Sequence, residues 1–107
     1  MELEFTFRNL EPSEAIKEWA SKRFKKVEKH LRGPAHAHLS VIVDKHRHRA
    51  EVKIYHNGDV LLASEESGDM YGSLDAVMAK IEQVAQRVKE RDSIRQAHHD
   101  AWRGGER

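Results

Sequence analysis

Residues 17–32, KEWASKRFKKVEKHLR, hold seven Lys or Arg (Lys17, Lys22, Arg23, Lys25, Lys26, Lys29, Arg32) against two Glu (Glu18, Glu28), in a chain of 107 residues with a formal net charge of +1. Through the same stretch Ile16, Ala20, Phe24, Val27 and Leu31 recur at spacings of three and four, with Trp19 at the edge of the stripe. This is the period of an amphipathic helix with one buried face, and it predicts a helix from about Ser13 to Leu31. Pro12-Ser13 marks its start, either with Ser13 as N-cap or with Pro12 in the first turn. Glu14 and Glu18 complement the dipole at that end. Gly33-Pro34 supplies a C-cap and a stop. At about 100° per residue Lys22, Lys26 and Lys29 line one solvated side and Lys25 lies close by, while Arg23 falls beside the apolar stripe and must snorkel or find a partner.

Outward from this helix the period changes to two. Leu3, Phe5 and Phe7 alternate with charged or polar residues, which predicts a half-buried strand with the apolar trio facing the core. Leu39, Val41 and Val43 predict a second strand over 37–44, and Ala50, Val52 and Ile54 a third. His56-Asn57-Gly58-Asp59 contains Asn-Gly, the strongest short hairpin signal, and leads into a fourth strand over 60–65. The inward set of that strand is either Leu61 and Ala63 or Val60 and Leu62. Asp69 then caps a second helix, in which Met70, Leu74, Val77, Met78, Ile81, Val84, Ala85 and Val88 hold helical spacing for about five turns. Lys80, Arg87 and Arg91 share one polar flank, with Lys89 elsewhere on the wheel. Beyond Ile94 the period fades. The expected organisation is one domain over 1–95 and a flexible tail over 96–107 that includes His98-His99 and Trp102. The order β-α-β-β-β-α predicts an α+β fold: a four-stranded antiparallel sheet with both helices packed on one face. Two helices packed parallel would bring their basic flanks near each other.

Composition narrows the chemistry. The chain has no cysteine, so disulfides and thiolate metal sites are excluded. It has no basic, then apolar, leader and no run near the roughly 20 apolar residues of a membrane helix, so we expect a soluble cytoplasmic protein. No glycine-rich phosphate loop or nucleophile elbow occurs, and Glu65-Glu66 would point to opposite faces of a strand, so we expect no enzyme. Of eight histidines, His36 and His38 share a strand face, and His46, His48 and His56 lie on or beside the next hairpin. Several could converge on the open sheet face as imidazole ligands. With no HExxH or Cys/His pattern, we read them as solvated and expect no metal and no cofactor. Trp19, Phe24 and Tyr71 are candidate stacking rings for bases, but Trp19 and Phe24 fall at the core stripe, so we read the set as packing. Charge runs are often solvated faces and nothing more, but two basic helices in one small domain form the cationic track that a phosphate backbone needs.

The run AIKEWASKRFKKVEKHL (15–31), the turn HNGD (56–59) leading to LLASEESGDMYGSLD (61–75), and KIEQVAQRVKERD (80–92) resemble the ribosome hibernation-promoting factor and ribosome-associated inhibitor family over roughly residues 1–95. The most specific piece is Gly68-Asp69-Met70-Tyr71 followed by Leu74-Asp75. The resemblance implies a fold like that of double-stranded-RNA-binding domains. It also implies a non-enzymatic protein, monomeric off the ribosome, that occupies the mRNA and tRNA channel of the small subunit and touches rRNA through both helices. It assigns RNA contact to Arg23, Lys26, Lys80, Arg87 and Lys89, to which the charge pattern adds Lys22, Lys25, Lys29 and Arg91. The chain departs from the family at Gln83 and Val84, where an Arg-Gln pair is common. A general binder of structured RNA and a His-rich metal-binding protein are the alternatives, and no membrane or small-molecule substrate is implied.

Overall fold

The computed structural model of the chain describes the backbone over residues 1–105 and the side chains over residues 1–94. Its elements are β1 (Glu2–Arg8), α1 (Glu14–Glu28), β2 (His36–Asp44), β3 (Arg47–His56), β4 (Asp59–Ser67) and α2 (Met70–Gly105). The α+β class and the β-α-β-β-β-α order are as expected. The strands lie side by side in chain order, but the sheet is mixed and not antiparallel throughout: β1 pairs parallel to β2, whereas β2–β3 and β3–β4 are antiparallel. The cause is the crossover, since α1 carries the chain back to the end of the sheet from which β1 started.

Register aligns the apolar residues of all four strands into rows under the helices. One row runs Leu3, Ala37, Ile54, Leu61 and the next Phe5, Leu39, Val52, Ala63. The face of β4, ambiguous in sequence, is settled by this register: Leu61 and Ala63 are buried, while Val60 and Leu62 stay more than half exposed on the open face. From above, α1 contributes Ile16, Ala20, Phe24 and Val27, and α2 contributes Leu74, Val77, Met78, Ile81, Ala85 and Val88. Trp19, Met70 and Val84 pack against this core at its rim.

Local chemistry fixes the ends. The Ile16 amide donates to Ser13 Oγ at 3.2 Å, so Ser13 is the N-cap of α1 and Pro12 lies outside. The helix stops at Glu28, short of the expected Leu31. His30 and Leu31 amides donate to the Val27 and Glu28 carbonyls in a tighter last turn. Leu31 remains buried even so, and Gly33 takes the left-handed conformation (φ 84°) beyond a cap formed by Lys29. At α2, Asp69 Oδ2 accepts from the Gly72 amide at 2.7 Å, the expected cap. Buried Ser73 donates to the His48 carbonyl at 2.6 Å and so pins the first turn of α2 onto β3.

Between β3 and β4, Asn57 (φ 49°) and Gly58 (φ 80°) both have positive φ, the geometry of a two-residue type I′ turn that matches strand twist. A β-branched residue is strained there, so Gly58→Val is expected to lower stability by about 1–2 kcal/mol, read as an earlier urea midpoint.

α2 continues as backbone to Gly105, so the expected boundary at 95 and the tail over 96–107 fall on residues whose side chains are not described. His98-His99 and Trp102 lie there too. No described helix is long and apolar enough to cross a membrane.

Candidate nucleic-acid interface

The two helices meet along the expected parallel seam, through pairings that the sequence did not reveal. Trp19 meets Tyr71 edge-on, with centroids 6.3 Å apart, Arg23 reaches Asp75 at 2.6 Å, and His30 Nε2 lies 3.6 Å from Glu82. All three contacts keep one offset of 52 residues, so α1 and α2 run parallel and in step. Arg23, awkward beside an apolar stripe, is held from two sides: its guanidinium lies 5.0 Å from the Trp19 ring centroid and is bonded to Asp75. The Arg23 side chain keeps 25% exposure at the surface.

On the outer surface of α1, Lys22, Lys25, Lys26 and Lys29 are all exposed. Among the described residues none of the four has an ion-pair partner. Lys22 and Lys26, and Lys25 and Lys29, are like charges at i, i+4, an arrangement that weakens an isolated helix by about 0.2–0.5 kcal/mol per pair. Lys25 and Lys26 fall in the last turn, where the helix dipole favours cations and offsets part of this.

The α2 cations are placed differently from expectation. With Asp75 and Glu82 turned to α1, the helical wheel puts Lys80, Arg87 and Arg91 on the opposite flank, toward β4. Two of the three are engaged there: Lys80 with Glu65 at 3.6 Å, and Arg91 with Asp59 at 2.6 Å and Asp92 at 3.2 Å. Hydrogen bonds to Asp59 first, then Asp92, push the Arg91 guanidinium above its ordinary pKa. Arg87 is exposed and has no ion-pair partner among the described residues. The basic flanks therefore do not meet at the seam, whose α2 side is acidic. Only Lys89 lies toward α1, in an open groove shared with His30, Gln86, Glu90, Ser93 and Ile94. Gln83 is exposed, and Val84 is drawn partly into the core, a position at which a cation would have to snorkel.

The histidines do not converge. His36 and His38 lie on the open sheet face, His36 between Glu2 (3.3 Å) and Glu4 (3.5 Å), and His38 Nε2 is 2.7 Å from Thr6 Oγ1. His46 is exposed in the β2–β3 turn. His56 lies on the helix side of the sheet, 3% exposed, where its Nε2 donates to the Arg32 carbonyl. By strand alternation His48 shares that side. Among the described residues no group of three or more His, Asp or Glu is arranged to hold a metal ion.

A surface built from lysines without ion-pair partners among the described residues suits a polyanion. Known proteins of this shape and pattern agree in kind. The hibernation promoting factor of Escherichia coli K12 is 29% identical over 96 residues, covering 90% of this chain and 99% of that protein. The ribosome hibernation promotion factor of Picosynechococcus is 34% identical over 106 residues, covering 92% of this chain and 54% of that protein. Among solved structures, the N-terminal domain of Thermus thermophilus Protein Y superposes with a TM-score of 0.76 at 22% identity, over 82% of this chain and 99% of that domain. A ribosomal subunit interface protein from Coxiella burnetii gives 0.68, also at 22% identity, over 84% and 99%. The family described as Sigma 54 modulation protein / S30EA ribosomal protein matches residues 3–93, and the chain belongs to that family.

Proposed function

We propose that this chain is a ribosome hibernation factor, a cytoplasmic and non-enzymatic inhibitor of translation. It occupies the mRNA and tRNA channel of the small ribosomal subunit and contacts rRNA through the basic residues of α1 and α2. The observation that carries this reading is the set of four exposed, mutually repelling lysines on α1 and its C-cap, Lys22, Lys25, Lys26 and Lys29, which have no ion-pair partner among the described residues. Their repulsion weakens the isolated helix and would be relieved by phosphate oxygens. Family membership and the names of the relatives point the same way.

Within the cationic set, Lys89 extends the track across the seam, and Arg87 adds a separate exposed cation on the far flank of α2. Arg23 serves as a braced cation at the seam. Lys80 and Arg91 exchange their carboxylates for phosphate only on binding and so contribute less per residue. The mechanism is steric occlusion held by charge, with the sheet as the rigid support, and it uses no cofactor. We further propose that residues 1–95 form the binding domain, that 96–107 act as a tail, and that the protein is a monomer away from the ribosome. Stationary-phase or stress conditions are the setting in which idle ribosomes would need such a factor.

Sedimentation with purified small subunits at rising salt tests the proposal. Association is expected to fall steeply and linearly on a log–log plot, through counterion release. Comparable affinity for free duplex RNA would instead indicate a general binder of structured RNA. Lys80→Gln is expected to weaken small-subunit binding only about two- to threefold, against about tenfold for Lys26→Gln, because Lys80 begins paired with Glu65.

A further inference from the structure

Tyr71 is half-exposed at 50%, in the first turn of α2. That turn is unusually well fixed. Asp69 caps it through the Gly72 amide, and Ser73 bonds to the His48 carbonyl. The ring itself is held edge-on by Trp19 at an interplanar angle of 83°, and Trp19 in turn carries the Arg23 guanidinium braced by Asp75. Tyr71 is thus a half-exposed aromatic ring on a well-fixed turn, in edge-on contact with a second ring. Lys22 stands three residues from Trp19, on the neighbouring surface of α1, and Lys26 one turn further. A preordered ring beside a line of cations is the combination by which proteins hold unstacked bases: the ring takes the π-face and the cations take the backbone.

We propose that Tyr71, supported by Trp19 and Arg23, is a stacking site for an unpaired nucleobase of the RNA whose phosphates meet the α1 lysines. The site deepens the RNA-binding proposal and rests on it. It adds a preference that phosphate contact alone cannot give, for RNA with a base out of the helix over fully paired RNA. The ligand is a base within an RNA strand and not a free nucleotide, because the ring stands half in solvent and affinity depends on the adjoining phosphate contacts.

The test compares binding of a short RNA hairpin carrying one bulged adenosine with that of the same hairpin fully paired, for wild type, Tyr71→Phe and Tyr71→Leu. Tyr71→Leu still covers Trp19 with apolar surface but offers no ring to stack upon. Wild type and Tyr71→Phe are expected to prefer the bulged hairpin by about tenfold, and Tyr71→Leu to lose that preference while binding the paired hairpin as wild type does. Adenosine monophosphate at the concentration of the hairpin is expected not to compete. Equal binding of the two hairpins by wild type, or a preference that survives in Tyr71→Leu, would overturn the stacking site alone. Competition by the free nucleotide would overturn the assignment to RNA. Absence of binding to either hairpin even at low salt, where phosphate contact alone holds RNA to a cationic surface, would overturn the RNA reading and this site with it.

Discussion

Reversing charge at Lys26 and Arg87 together (K26E/R87E) is expected to lower affinity for purified small ribosomal subunits by about a hundredfold at moderate salt, and to reduce the salt slope by about two. Each substitution removes a cation without an ion-pair partner among the described residues, so the loss is not masked by a released carboxylate. The fold should be untouched, since both side chains are exposed and surface changes of this kind alter stability by roughly half a kcal/mol or less. Lys26→Glu should leave α1 about as stable, because relief of the like-charge contacts with Lys22 and Lys29 is offset by an acid in the last turn, where the helix dipole favours cations. A variant that melts no earlier than wild type yet fails to sediment with the subunit separates binding from folding. Unchanged association would sink the two-helix account.

The second large effect concerns the core. Phe24→Ala is expected to lower stability by about 3–5 kcal/mol, measured by urea denaturation followed through helix signal. Phe24 is 2% exposed and is the largest of the fully buried side chains among the described residues, on the helix that carries the lysines. Truncation loses its transfer free energy and leaves a cavity in a core cluster whose other members, such as Leu39 and Met78, are at most 1% exposed and could fill it only by moving. Against a total stability of about 5–15 kcal/mol for a domain of this kind, that loss is a large fraction. A cost below about 1 kcal/mol would mean that α1 is not anchored through this ring.

What sequence alone conveyed follows from which contacts are local. The α1 stripe, the Asn57-Gly58 turn and the Asp69 cap are set by residues within one or two turns of each other, and each appears in the structure as expected. The parallel pairing of β1 with β2 and the inward face of β4 are settled by partners in other strands, such as Leu39 with Phe5 and Val52 with Ala63. Pattern within one strand cannot choose them. The candidate interface divides in the same way. The α1 lysines were legible because helical spacing alone puts them on the solvated side. The acidic α2 side of the seam was not, because Asp75 and Glu82 gain their meaning only from Arg23 and His30 across the 52-residue offset. The role of Arg23 was half legible: its place beside the apolar stripe demanded a partner, and the structure supplies Trp19 and Asp75 together. Tyr71 was grouped with packing rings because Trp19 is one, whereas its position in the first turn leaves it half in solvent.

The central claim is occlusion of the channel, and competition on the small subunit tests it most directly. Small subunits programmed with mRNA and tRNA would be titrated with this protein at fixed salt while bound tRNA is measured by filter retention. The account predicts that tRNA is displaced in proportion to protein bound, that excess tRNA displaces the protein in return, and that K26E/R87E displaces none at the same concentration. Stable retention of tRNA on subunits saturated with this protein would contradict it.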